Sequence, residues 1–186
     1  YELFLKSTAQ QLETAGSPYG YVAMGSTIVC TANSYAAVAG MPRKKATEDF
    51  YFLQKLSKFC GVYSIPEILV YPSSRSVNRV YLGTGFRMQQ AHNGFDINSL
   101  QYSDEAYRHL TTILKISNNA KTLSLNNLFE KLDVVNSGIV EFLKDEGIEA
   151  IWGNIQVSAP TEKHFRDQFH RWFDGLKTIR FLKRFS

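Results

Sequence analysis

Apolar positions change their spacing about halfway along the chain. Over residues 103–186 they return every three or four places, as on one face of a helix. Ser103 with Asp104 and Glu105 reads as a cap and acidic first turn, followed by Tyr107, Leu110, Ile113 and Leu114 on one side. Shorter helices are predicted over 124–131, 137–146 and 148–156. From Pro160 the stripe Phe165, Phe169, Trp172, Phe173 and Leu176 predicts one long helix whose aromatic face is core. The first half mixes periods. Residues 1–15 read as the tail of an amphipathic helix stopped by Gly16-Ser17-Pro18. Residues 19–32, rich in glycine and β-branched side chains, read as one or two buried strands with close backbone approaches at Gly20 and Gly25. Asn33 and Ser34 open a short helix that Gly40-Met41-Pro42 ends. Thr47 is a natural N-cap for a helix so ringed by Phe50, Phe52, Leu53, Leu56, Phe59 and Cys60 that most of it should be buried, with Gly61 closing it. Residues 62–71 read as one or two further strands, and 73–85 as a polar loop.

These elements predict an α+β, helix-dominated chain, mixed over residues 1–94 and helical over 95–186. A length of 186 residues with 44% hydrophobic side chains suits a packed domain and excludes a disordered one. Cys30 and Cys60 fit neither a disulfide framework nor a metal knuckle and are expected as buried thiols in a reducing compartment. No signal peptide opens the chain, and the low-charge run 17–40 is too interrupted for a membrane span. A start at Tyr1, inside a helix, reads as a piece of a longer protein. The net charge of +4 resides in residues 157–186. There Ile179, Phe181, Leu182 and Phe185 alternate with Lys183 and Arg184, a pattern that suits either a solvated helix face or an interfacial anchor on an anionic membrane. Nucleic-acid binding lacks its aromatic platform and motifs. His92, His109, His164 and His170 lack metal-ligand spacing.

Two features carry candidate chemistry. Glu48-Asp49 opens the aromatic helix, where a negative charge is favoured, so the pair is either a capping device or a catalytic carboxylate. A base that weak suits a proton that becomes acidic only in the transition state, as when a hydroxyl attacks an activated sugar carbon. Arg75 and Arg79, with hydroxyls between them and Gly83-Thr84-Gly85 after them, could receive a phosphate or form a loop tied by ion pairs. No Walker loop is present.

The order of the pieces is more specific than any one. Gly25-Ser26-Thr27, Gly40-Met41, Ala46-Thr47-Glu48-Asp49-Phe50-Tyr51-Phe52-Leu53, then Tyr71-Pro72-Ser73-Ser74-Arg75-Ser76, Arg79 and Gly83-Thr84-Gly85 together resemble the acceptor-side half of bacterial family 2 glycosyltransferases, the inverting GT-A enzymes. The resemblance spans residues 19–86. It implies a partial GT-A core with a few strands over residues 1–94, followed by a helical bundle. It also implies that Asp49 is the general base that deprotonates an acceptor hydroxyl for attack on a nucleotide-linked sugar. Glu48 would orient the site, Gly25, Ser26 and Thr27 would run as a strand along the acceptor cleft, and Arg75, Ser76, Arg79, Gly83, Thr84 and Gly85 would meet substrate and the departing diphosphate. Thr47 departs from the pattern, since the family often has glycine there. The Asp-x-Asp motif and nucleotide-binding half of the family are absent, so the divalent metal (Mn or Mg) is expected through another part of the full-length enzyme, and this chain alone is expected to be inactive. Its partners would be a nucleotide sugar and a hydroxyl acceptor in polysaccharide or glycolipid synthesis, in the cytoplasm or at the inner membrane face. The alternative is a non-catalytic helical module that recruits a protein or an anionic membrane.

Overall fold

The computed structural model describes residues 1–71 and 84–186. Among them are ten α-helices and no β-strand, so the chain is all-α. This overturns the expected α+β class and the partial GT-A core, which is defined by a sheet. Residues 19–31 and 62–71 have a composition that favours strands, but a strand also requires a hydrogen-bonded neighbour. Residues 19–31 make turn bonds instead, such as Tyr21 N–H to Tyr19 O and Thr27 N–H to Met24 O, both 3.0 Å. Residues 62–71 make no backbone hydrogen bond among the described residues. Their side chains are apolar yet in water, with Tyr63 87% and Tyr71 85% exposed.

The chain divides into two compact units, Tyr1–Gln10 with Pro18–Gln101, and Gln11–Ser17 with Tyr102–Ser186. The first contains most of α1 (Glu2–Thr14), α2 (Ala32–Ala37), α3 (Glu48–Phe59) and α4 (Thr84–His92). Its centre is α3, which buries Phe52, Leu53 and Leu56 against Tyr21, Ile28, Val38 and Met41. Helix α2 lies along α3, with the Tyr35 and Phe52 rings 5.5 Å apart and Lys55 Nζ donating to Val38 O at 3.2 Å. Thr31, not Asn33 or Ser34, caps α2, its hydroxyl accepting from Ser34 N–H. The turn after α2 requires glycine. Gly40 has φ 64°, and a Cβ there would stand 2.8 Å from the Tyr35 ring. The burial expected all round α3 is incomplete, since Phe59 is exposed at its C-terminal end. Both cysteines are exposed rather than buried, and the Cys60 thiol lies 3.9 Å from the Ser34 hydroxyl.

The second unit is a helical body of α5 (Asp104–Ser117), α6 (Leu125–Asp133), α7 (Ser137–Asp145), α8 (Ile148–Ser158), α9 (Glu162–Trp172) and α10 (Gly175–Arg184). Ser103 and Ser124 cap α5 and α6 with their hydroxyls. The predicted long helix breaks in two. Asp174 accepts from Leu176 N–H and Lys177 N–H, which makes it the N-cap of a new helix. Phe165, Phe169 and Phe173 remain fully buried, with Phe169 and Phe173 stacked at 5.8 Å. Phe181 and Leu182 of α10 are fully buried as well. The cations of α10 meet acids of α7 and the residue after it: Lys177 and Arg180 bind Glu146 at 2.7 and 3.2 Å, and Arg184 binds Asp145 at 2.6 Å and Glu141 at 3.3 Å. No helix among the described residues is long and apolar enough to cross a membrane.

Candidate functional site

Glu48 and Asp49 occupy the first turn of α3, both half-buried. The residue before them, Thr47, has a left-handed backbone (φ 65°), and its hydroxyl donates to Ala46 O instead of capping the helix. The N-cap role expected of its side chain is therefore not taken. The left-handed conformation is the one that glycine adopts without cost.

The Asp49 carboxylate is held by two backbone amides. Gly25 N–H donates to Oδ2 at 3.1 Å, and Phe50 N–H donates to Oδ1 at 2.8 Å. Each carboxylate oxygen has two lone pairs, so each keeps one for another donor. Gly25, Ser26 and Thr27 form a single 3-10 turn and not the expected strand, because Thr27 N–H and its hydroxyl both close back on Met24 O. Two sequence motifs 24 residues apart are thus in direct contact. A Cβ on Gly25 would sit 3.5 Å from that of Asp49.

Arg75, Ser76, Arg79 and Gly83 lie outside the described residues. Thr84 and Gly85, expected in a polar loop, instead begin α4. Tyr1, which sequence reasoning missed, is coupled electrostatically both to Asp49 and to Arg87. Burial raises the Tyr1 phenol above its ordinary range, Arg87 opposes that rise, and Asp49 adds to it. Arg87 is itself held by Gln90 Oε1 at 2.7 Å and lies over the Phe95 ring at 5.8 Å. Positions 1, 49 and 87 have no common period, so no sequence signal joins them.

No group of three His, Cys, Asp or Glu side chains among the described residues could hold a metal ion. The divalent cation that the resemblance implies has no ligand set among the described residues. The chain matches no family model, none of the curated proteins and no solved structure.

Proposed function

We propose that the chain is the acceptor-side part of an inverting glycosyltransferase, with Asp49 as general base. The acceptor O–H proton passes to a carboxylate oxygen of Asp49 as the acceptor oxygen bonds to the anomeric carbon. The bond from that carbon to the nucleoside diphosphate breaks on the opposite side, and the diphosphate leaves. The observation that carries this reading is the Gly25 amide on Asp49 Oδ2. It fixes the carboxylate at the start of α3 and leaves a lone pair on each oxygen to receive a hydroxyl, which a positioned base requires. The order of the surrounding motifs supports the same chemistry. Arg75 and Arg79 are assigned to the departing charge on the resemblance alone. The reaction is assigned to the cytoplasm or the inner membrane face on the resemblance alone. Of the anchor residues of the alternative reading, Phe181 and Leu182 lie in the core and Arg184 is paired with Asp145 and Glu141.

The test is Asp49→Asn in the full-length gene product. The asparagine Oδ1 can still accept from Gly25 N–H, so the fold is kept. Release of nucleoside diphosphate from a panel of nucleotide sugars, with cell extract as acceptor source, should fall about 10²–10⁴-fold, the usual contribution of a general base. Transfer retained within a few-fold removes Asp49 from the mechanism.

A further inference from the structure

Helices α8 and α9 present matching faces to one another. Ile151, Asn154 and Ile155 stand at i, i+3 and i+4 of one, and Gln168, Arg171 and Trp172 at i, i+3 and i+4 of the other. Between them is an open cleft of about 400 Å³ lined by these six side chains and Ser158, near the small end of ligand sites, which run about 300–1,000 Å³. Its apolar part is Ile151, Ile155 and the indole of Trp172. Of its polar part, the Ser158 hydroxyl donates to Ile155 O at 3.3 Å. The side chains of Asn154, Gln168 and Arg171 make no hydrogen bond or ion pair to any described residue. That contrasts with α10, where Lys177, Arg180 and Arg184 are all paired with acids. Lys177, whose ammonium lies 5.6 Å from the Trp172 ring, is committed to Glu146, so Arg171 is the cation left to the cleft. Trp172 is set in place by Phe169 and Phe173, at 5.7 and 6.0 Å.

We infer that this cleft binds a glycan bearing an acidic sugar, a pyranose ring lying on Trp172 and its carboxylate on Arg171. A pyranose has an apolar C–H face and a rim of hydroxyls, which answers an indole beside two free carboxamides. A purely apolar peptide would bury those carboxamides and the guanidinium unpaired, at a cost. A nucleotide brings several phosphate charges to a cleft that has one free cation among the described residues. The arginine presents two parallel N–H groups to a carboxylate. The inference uses no property of Asp49.

Trp152 is buried, with its Nε1 donating to Leu123 O, so acrylamide quenching of tryptophan emission reports on Trp172. Added to the whole chain, a trimer of galacturonic acid should protect the emission from acrylamide and shift amide resonances in α8 and α9. Arg171→Gln, at an exposed position, should raise the trimer's Kd at least tenfold, with maltotriose binding weakly and equally to both proteins. Asn154→Ala should weaken both sugars. Asp49→Asn should change neither, which separates failure here from failure of the catalytic reading. Absence of protection by either sugar overturns the inference. So does protection by the acidic trimer that Arg171→Gln leaves unchanged.

Discussion

Thr47 sits at φ 65° directly before the catalytic candidate, in a region where a β-branched side chain is strained. Such a residue costs about 1–3 kcal/mol, whereas the extra freedom glycine loses on folding is about 0.5–1 kcal/mol. Thr47→Gly is therefore expected to raise the melting temperature by a few degrees, measured by calorimetry. It should leave the Gly25–Asp49 hydrogen bond in place, since the hydroxyl bonds only to the neighbouring carbonyl. The chemistry at this scale was partly legible. The Glu-Asp step and the glycine opposite it were both visible as candidates, but their contact was not. The bond runs from a backbone amide to a carboxylate 24 residues away, and backbone donors leave no mark in residue type.

At the scale of elements, local signals succeeded where the physics is local. Ser103 and Ser124 announce helices because a side-chain oxygen satisfies an amide two or three residues on. Asp174 announces one too, but its signal is masked by an aromatic stripe that runs through it, and two helices read as one. Strands failed for the opposite reason. Residues 62–71 have strand composition, yet a ladder depends on a neighbour that composition does not specify. With no backbone hydrogen bond to a described residue, their amides are expected to exchange hydrogen within seconds, while those of α5, buried along Leu110, Ile113 and Leu114, persist for hours. Hydrogen exchange read by mass spectrometry checks this, and protection of 62–71 equal to that of α5 contradicts it. The cleft of α8 and α9 falls between these cases. Periodicity places its seven side chains on helix faces but does not say which faces meet.

For the molecule as a whole, two half-buried titrating groups, His170 and Glu146, contribute to the response to acid. Burial lowers His170 to about 4, with Asp167 opposing and Arg166 reinforcing the shift, so the native state favours its neutral form. Stability is complete above the unfolded value of 6.5 and declines as pH falls toward 4, by up to about 3 kcal/mol, because the unfolded chain takes the proton first. Glu146 behaves differently. Burial pulls it upward, but the hydrogen bonds and charges of Lys177 and Arg180 outweigh that and hold it below 4.5. Its contribution is present above 4.5 and is lost as pH falls through the lowered value. Urea unfolding between pH 7 and 3 should therefore show two stages. His170→Gln should flatten the upper one. Glu146→Gln should remove the lower one and cost about 1–3 kcal/mol at pH 7, because Lys177 loses its partner. A single stage unchanged by either variant contradicts this assignment.

The placement of the two indoles has a practical consequence for such experiments. Trp152 and Trp172 both belong to α8 and α9, and the sequence has no other tryptophan. Fluorescence excited at the red edge thus follows the second unit alone, one fluorophore sealed and the other half in water. The first unit, with Asp49, has no tryptophan and is followed in tyrosine emission, to which the second unit adds only Tyr102 and Tyr107.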